Sequence, residues 1–456
     1  MCGGADPKSC MKFPADRAAH VKISLSGRTR PLFFILTIAC LGMLLVRETL
    51  LAGSASFFTT SANVRRVLAF DPNDPRLEYR LGIVYEDADP GESIGHLRRA
   101  TELSPNNSRY RHQLAVACEL AGNTGCADQA WERLAEVSPG VPLYHWHAGE
   151  SYLRANLLDE SLAQFSRLLD LDSKYGPQVW FALRNVLGPD IIFQKTLAQH
   201  ADAETKVSYI DFLSDQADYD AAYRTWRLVG PQLHAVSFST AKPYLEQLIA
   251  NQRIPEARSV WLDLQKSGIV TTPEGDQNNL VFNGDFEQAS LNAGFDWRRT
   301  DQMTYLAVDF AAPGAYHGAQ CLRVDFTVDR NEQYEPAYQI VPVLPNRTYK
   351  LEAYVRSEDI TSDTGPSLRV SDPQRLSFEE ATSETTIGST SWHPVRLVFS
   401  TGPETQTVRV SIWRPRGRTF PMGISGSFWV DSVSLSDMGA ALERTAIAQS
   451  ASDAPR

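Results

Sequence analysis

The residues LEYRLGIVY (77–85), YRHQLAVAC (110–118) and YHWHAGESY (144–152) show one pattern three times. Prolines recur through the same stretch, at spacings of 33 and 34 residues: Pro72, Pro105 and Pro139. A fixed period of this length is the signature of a repeat architecture. Apolar residues within each period are spaced as on amphipathic helices, so the stretch predicts consecutive helix–turn–helix units.

The three units resemble the tetratricopeptide repeat, in which a large residue, a Leu-Gly pair and an aromatic residue mark the first helix. A small residue at Gly82, Ala115 or Gly149 would let two helices approach closely. The second helices carry the expected small and aromatic residues, for example Ala127 with Trp131. In the first unit, Pro90 stands where the second helix should begin. Because proline is tolerated in the first turn of a helix, we expect a shifted helix start there.

The helical pattern continues towards residue 267 while its period loosens. The predicted pairs are 178–187 with 191–197, 205–213 with 219–229, and 242–250 with 255–266. Ala221 and Ala257 each open a second helix and are followed by Trp226 and Trp261. We therefore expect residues 57–267 to form an α-solenoid of about five or six helix pairs, with a groove for a protein or peptide partner.

The composition excludes some classes of function. A chain of 456 residues with 43% hydrophobic residues can form more than one core. Its formal net charge of −10 predicts no nucleic-acid partner, because such partners require clustered positive charge. Basic residues are concentrated only in residues 1–30, which we expect to be a cytoplasmic leader: Lys8, Lys12, Arg17, Lys22, Arg28 and Arg30.

Residues 31–53 are predicted to be a transmembrane anchor or a signal segment. The run Leu32–Val46 carries no charge, and apolar character resumes after Arg47 and Glu48. A helix over residues 32–52 would be about long enough to cross a bilayer. Positive charge before the segment predicts a single pass in a bacterial inner membrane, with the bulk of the chain periplasmic.

Two alternatives to an uncleaved anchor are open. The small residues Gly53–Ser56 would suit cleavage after a signal peptide. A buried helix is the other alternative, but nothing upstream could form its surroundings.

The pattern changes after the helices. Gly268, Pro273 and Gly275 end the helical period, which predicts a linker over residues 268–279. From there apolar and polar residues alternate, as in Tyr349, Leu351, Ala353 and Val355 with their neighbours. Regular short strands of this kind predict a β-sandwich over residues 280–437. We expect residues 438–456 to form a disordered tail.

Four motifs mark the sandwich segment: LVFNGDFE (280–287), CLRV (321–324) after a His-Gly turn, PNRTYKL (345–351) and FWVDSVSL (428–435). In order and spacing they resemble the carbohydrate-binding modules of the galactose-binding-like jelly-roll type. The resemblance spans Leu280–Leu435 and implies a jelly roll that binds a glycan.

The same resemblance implies a structural calcium ion. In those modules an acid near the first strand and another in the last strand commonly help to hold calcium, and the matching residues are Glu287 and Asp431. Carboxylate oxygens are ligands that Ca²⁺ prefers. The alternative is that both carboxylates are merely solvated at the sheet edge.

A sugar site needs aromatic faces for the apolar side of a pyranose and planar polar groups for its hydroxyls. If Tyr349 and Val355 face the core, Tyr354 and Arg356 must face outwards. The same alternation places Trp413 and Gln339 outwards on their strands. We predict that these four residues line one concave glycan-binding sheet: Tyr354, Arg356, Trp413 and Gln339. Alternatively, the aromatic residues cover a sheet edge or meet the repeat domain.

Cys118 and Cys126 lie across a turn that contains Gly122 and Gly125. In an oxidising compartment they could form a disulfide. Cys118 could equally be a buried thiol in the helix position that is usually aromatic.

The sequence shows no catalytic constellation: it has no Gly-x-Ser-x-Gly elbow, phosphate-binding glycine loop or His-Glu-x-x-His motif. It predicts a non-enzymatic, membrane-anchored adaptor that binds a protein partner through the repeats and a glycan through the jelly roll. Such a protein would suit surface polysaccharide assembly or export. The alternative is a structural envelope scaffold that binds no sugar.

Overall fold

The computed structural model describes residues 30–57, 61–69, 71–199, 201–273, 278–300, 306–372, 380–420 and 422–440. Two units divide the chain, Met1–Ser151 and Tyr152–Arg456. Most of the basic leader, part of the linker and the tail beyond residue 440 lie outside the described residues. Within the described part, helices precede an antiparallel β-sandwich, as the sequence predicts.

Helix α1 spans Arg30–Phe57 and covers the predicted anchor segment. Large apolar side chains between Phe34 and Val46 are exposed along it. Among the described residues, however, no helix combines the length and the apolar character that crossing a membrane requires. The predicted transmembrane helix is therefore not supported. The charged pair Arg47 and Glu48 interrupts its apolar run, and small residues follow.

The first unit is built from helix pairs with defined starts. Its further helices are α2 (Ser61–Leu68), α3 (Pro75–Tyr85), α4 (Pro90–Leu103), α5 (Ser108–Leu120), α6 (Thr124–Val137) and α7 (Pro142–Arg154), the last of which runs into the second unit. Helix α4 starts at Pro90, where the Asp89 carboxylate accepts the N–H groups of Gly91 and Glu92, each at 3.1 Å. This is the shifted start expected from the sequence.

At Gly82, helices α3 and α4 are in close contact. A Cβ atom at this position would lie 2.4 Å from Cγ of Leu97, whose side chain is fully buried. Ser93 of α4 also donates to the carbonyl of Gly82 at 2.7 Å, so the two backbones are held together there. The repeat pattern thus requires a small residue for a packing reason.

We expect Gly82→Ala to destabilise the first unit by about 1–3 kcal/mol, because the added methyl group must displace Leu97. Gly95→Ala is the matched control: it lies in the same helix pair with nothing within 4 Å of the new Cβ. Higher helix propensity should stabilise that variant by about 0.5–1 kcal/mol. Urea unfolding followed by far-UV circular dichroism measures both, and equal effects would contradict this packing role for Gly82.

The second unit continues the helix pairs. Its helices are α8 (Leu158–Leu171), α9 (Gly176–Leu183), α10 (Pro189–Ile192), α11 (Ala203–Asp215), α12 (Tyr219–Val229), α13 (Phe238–Ala250) and α14 (Ile254–Lys266). A π-helical turn, Phe193–Leu197, follows α10 directly. Ala221 and Ala257 are fully buried near the starts of α12 and α14, and Trp226 and Trp261 are buried behind them. The degenerate repeats therefore keep the packing of the regular ones.

Asp211 on α11 is a partly buried acid with an unsatisfied atom. One of its carboxylate oxygens is buried and has no hydrogen-bond partner among the described residues. Burial, with the nearby charge of Asp215 as the second cause, raises the pKa of Asp211 to about 7. The ionised form of Asp211 is therefore disfavoured in the fold. The stability that the neutral carboxyl contributes is lost as the pH rises from the pKa of the unfolded chain towards 7.

We expect Asp211→Asn to raise the free energy of unfolding at pH 8 by on the order of 1–3 kcal/mol, discounted for the partial exposure of the group. At pH 4 most of the advantage should vanish, because Asp211 is then neutral in the fold and only about half ionised in the unfolded chain. Asp170→Asn, at an exposed acid on α8, should change stability little at either pH. Urea unfolding at pH 4 and pH 8 tests this, and a pH-independent difference would contradict the raised pKa.

In the described part of the chain, the sandwich consists of two antiparallel five-stranded sheets. Its strands are β1 (Arg298–Arg299), β2 (Leu306–Pro313), β3 (Gln320–Val328), β4 (Ala337–Pro342), β5 (Arg347–Ile360), β6 (Ser367–Ser371), β7 (Ala381–Thr382), β8 (Gly388–Ser400), β9 (Thr407–Trp413) and β10 (Ile424–Ala440). The first sheet has the order β1-β4-β9-β6-β7, and the second sheet has the order β2-β3-β10-β5-β8. The inner faces of the two sheets share one hydrophobic core. The alternate residues of β5 predicted to face inwards are part of it: Tyr349, Leu351, Ala353 and Val355.

The last helix pair contacts the opening segment of the sandwich within the second unit. Glu246 on α13 forms a two-pronged ion pair with Arg298, at 2.7 and 2.9 Å, and accepts the N–H of Gly294 at 2.6 Å. Trp261 packs edge-on against Phe282 and Phe295. Helices and sandwich therefore share a polar and aromatic contact that is mostly buried.

Candidate functional site

The four predicted glycan residues do not lie on one surface. Tyr354 and Arg356 are on β5 in the second sheet, whereas Trp413 and Gln339 are on β9 and β4 in the first. The expectation of a single sheet lined by all four is therefore wrong. Alternation within a strand gives the face of a side chain, but it does not say which strands are neighbours.

Gln339 belongs to the core and not to a surface. It is fully buried, on the same face of β4 as Ala337 and Val341. Its amide oxygen accepts the N–H of Phe282 at 3.0 Å, and its amide nitrogen donates to the carbonyl of Phe282 at 2.7 Å. The side chain thus completes the hydrogen bonds of the opening segment, and this explains a buried amide in β4.

The outer face of the first sheet carries a series of aromatic rings and charges that we name the arginine–aromatic ladder: Tyr338, Arg409, Glu335, Arg369 and Trp413. The guanidinium of Arg369 lies 3.6 Å from the ring centroid of Trp413, and that of Arg409 lies 4.2 Å from the ring centroid of Tyr338. Glu335 accepts from both arginines, at 3.1 and 2.9 Å. Because each cation is held by a ring and by the same carboxylate, the ladder is a preorganised surface.

The ladder contains unused hydrogen-bonding groups. Nε of Arg369, Nε of Arg409 and Oγ of Ser411 are buried without a hydrogen-bond partner in the part of the chain that the structure describes. Ser411 lies between Tyr338 on one neighbouring strand and Arg369 on the other. Buried polar groups normally have partners, and these three atoms on one sheet face lack them among the described residues. The candidate binding surface is the layer of rings and guanidinium groups above them.

The outer face of the second sheet carries a different aromatic cluster. Tyr354 stacks on Tyr316, with ring centroids 3.6 Å apart, and Trp392 lies 6.1 Å from Tyr316. The guanidinium of Arg356 lies 4.0 Å from the ring centroid of Trp429 and 5.7 Å from that of Trp392. The structure thus places the predicted residues Tyr354 and Arg356 together, on the sheet opposite Trp413.

The predicted calcium ligands fix the loop before β3. Oδ2 of Asp431 accepts the N–H groups of Tyr316 and His317, at 2.8 and 2.9 Å. Oε1 of Glu287 accepts those of Ala319 and Gln320, at 2.6 and 2.9 Å. Burial raises the pKa of Asp431, while these N–H groups act in the opposite direction. Both acids therefore help to hold this loop in place.

The donor set gives calcium limited support. Within the described residues, no group of three or more His, Cys, Asp or Glu side chains could hold a metal ion. One oxygen of each acid is already engaged by two N–H groups of the loop. A calcium ion would have to share these oxygens or use backbone carbonyls, so calcium at Glu287 and Asp431 stays a prediction.

Cys118 and Cys126 are joined by a disulfide, with their Cα atoms 5.7 Å apart. The bond links the C-terminal part of α5 to the start of α6. Cys118 is also fully buried in the core of the repeat, next to Trp131. The repeat position that usually holds an aromatic residue is thus occupied by the disulfide-bonded Cys118.

Sequence reasoning missed most of the ladder. Arg369 lies between Leu368 and Val370, and Arg409 between Val408 and Val410, so strand alternation predicts that both arginines face outwards. That signal could have found them. Glu335, just before β4, belongs to no alternating run, and only the sheet order places it between the two arginines.

No protein-family model and no curated protein matches this sequence. Solved structures similar to part of it include Family 16 Carbohydrate Binding Module-2, with a TM-score of 0.24, 18% identity, and coverage of 34% of this chain and 99% of that chain. TmCBM61 in complex with β-1,4-galactotriose has a TM-score of 0.25 and 20% identity, over 34% of this chain and 97% of that chain. A mutant of MamA has a TM-score of 0.23 and 22% identity, over 28% of this chain and 74% of that chain. These TM-scores are too low to carry an argument about function.

Proposed function

We propose that this protein is a non-enzymatic adaptor, which holds a glycan on the sandwich and a protein partner on the helical repeats. The observation that carries the proposal is the arginine–aromatic ladder. Rings and fixed planar cations alternate on one sheet face. Aromatic faces suit the apolar side of a pyranose, and guanidinium groups suit its vicinal hydroxyls.

The ladder would bind a glycan without large rearrangement. Glu335 holds Arg369 and Arg409 in position, so less side-chain entropy is lost on binding than with free arginines. Glu335 and the neighbouring Glu380 together offset the two arginine charges, since Glu335 pairs with both arginines and Glu380 pairs with Arg369. This balance favours a neutral glycan on the first sheet.

Trp413→Ala should weaken binding of a neutral oligosaccharide by about 10-fold or more, because the variant loses a ring and releases Arg369. A glycan array of the full chain would identify the ligand, and isothermal titration calorimetry would measure its affinity.

Tyr316→Ala is the control for that experiment, because Tyr316 lies against the opposite sheet. It should leave the affinity for the neutral ligand unchanged. Loss of binding in this variant alone would move the glycan to the second sheet. A folded chain that binds no glycan would instead support a structural envelope scaffold.

The helical repeats of the second unit offer a surface for the protein partner. A cavity of about 380 Å³ lies along α8. It is lined mostly by charged and small residues, together with one leucine: Asp159, Leu162, Ala163, Ser166, Arg167, Asp170 and Lys195. Alternating charges of this kind suit a polar peptide segment.

We also propose that the chain works on the far side of a bacterial inner membrane, in surface polysaccharide assembly or export. The support for this location is the basic leader, together with the exposed apolar side chains of α1. An oxidising compartment would also maintain the disulfide between Cys118 and Cys126. The segment 31–53 would then act in targeting or membrane attachment.

One experiment in cells tests location and partner together. A tagged chain should fractionate with the envelope and become accessible to protease once the outer membrane is permeabilised. A photo-crosslinking residue at Ala163 should give a distinct protein adduct, while one at the exposed Val398 should not. If the chain fractionates with the cytoplasm, the proposed location is contradicted. If both positions give identical adducts, the cavity along α8 is not the partner site.

A further inference from the structure

Arg356 on the outer face of the second sheet has no ionic partner among the described residues. No hydrogen bond or ion pair joins its guanidinium to any residue in the described ranges, and its Nε is buried. Arg323, which packs over the same ring of Trp429 at 5.2 Å, differs in this respect because Asp325 accepts from its Nε at 2.8 Å. One of two similar arginines is thus paired internally, and the other retains its donors.

The surroundings of Arg356 are aromatic and partly open. Trp429 and Trp392 lie 4.0 and 5.7 Å from its guanidinium, and the stacked pair Tyr316 and Tyr354 lies beside them. Tyr316 is 46% exposed, so its ring has a free face. The site therefore combines an exposed ring with an unpaired, partly desolvated cation.

Gly314 keeps the approach to the cation open. Its φ of +89° is unfavourable for other residues, and a Cβ atom at this position would lie 4.0 Å from Nη2 of Arg356. No side chain at residue 314 therefore covers the guanidinium.

The loop that carries Tyr316 is held in place by two carboxylates. Asp431 accepts the N–H of Tyr316 itself and of the next residue, and Glu287 accepts two N–H groups at the far end of the loop. Asp431 is fully buried, and its bonds reach the loop from β10. The exposed ring is thus fixed relative to Arg356 before any ligand arrives, and this reduces the entropic cost of binding.

We propose that this face is a second glycan site, specific for a hexuronate residue of an acidic polysaccharide. The sugar carboxylate would accept from the guanidinium of Arg356, and the apolar face of the pyranose ring would pack on Tyr316. A carboxylate matches a guanidinium in charge and in planar geometry, and a flat ring matches an exposed aromatic face. This site lies on the other sheet from the arginine–aromatic ladder, so it stands whether or not the ladder binds a neutral glycan.

The test titrates the full chain with trisaccharides of galacturonate, glucuronate and mannuronate, each as the free acid and as the methyl ester. At least one free acid should bind, and its methyl ester should bind about 10-fold or more weakly, because the ester removes the charge but keeps the ring. Binding should also weaken as salt is increased. If no free acid binds a folded chain, or if acid and ester bind equally, the proposal is overturned.

Variants locate the ligand. Arg356→Gln should reduce affinity for the acid about 10-fold or more and should remove the difference between acid and ester. Tyr316→Ala should weaken both forms, since it removes the stacking face. Arg323→Gln is the matched control and should keep the affinity within about 2-fold, because Arg323 is already paired with Asp325.

The ladder variant Trp413→Ala separates this proposal from the proposed function. Trp413→Ala should leave hexuronate binding unchanged, and loss of binding in that variant would place the acid on the first sheet and overturn the second site. A triaspartate peptide serves as the competing ligand. If it binds Arg356 as tightly as the best trisaccharide does, the site recognises an acidic peptide and the sugar assignment fails.

Discussion

The two-residue period of the β-strands is the constraint on which the sandwich depends. Successive side chains of a strand point to opposite faces, so burial of Leu351, Ala353 and Val355 in the core commits Tyr354 and Arg356 to the outside. The same rule turns Arg409 and Trp413 outwards on β9. The hydrophobic core fills one face of each sheet. It therefore determines which side chains form the two candidate binding surfaces on the opposite faces.

Buried polar side chains join the parts that the sheets leave separate. Gln339 pairs with the backbone of Phe282 and ties the opening segment to the first sheet. Arg414, fully buried, donates to the carbonyls of Glu332 and Met422 and holds two loops together. Asp431 does the same for the loop that carries Tyr316. Each of these groups would be costly to bury unpaired, so its partners fix the local geometry.

The helical part depends on close approach instead of alternation. Gly82 lets α3 and α4 pack closely, and small alanines are buried in the later pairs. At the end of the helices, Glu246 and Trp261 contact residues of the opening segment of the sandwich. Trp261 contacts Phe282, and the backbone of Phe282 pairs with Gln339 of the first sheet. Within the second unit, the helices and the first sheet thus share supporting contacts.

The sequence by itself determined the period of the repeats, the change to strands after residue 267 and the outward direction of Tyr354, Arg356 and Trp413, because these follow from local periodicity. Only the tertiary structure decided which of them are neighbours. Sheet order depends on pairings between distant strands, and it separated Trp413 from Tyr354, buried Gln339 and placed Glu335 between two arginines. Partnerships of this kind arise from the packing of the whole domain, and no local pattern encodes them.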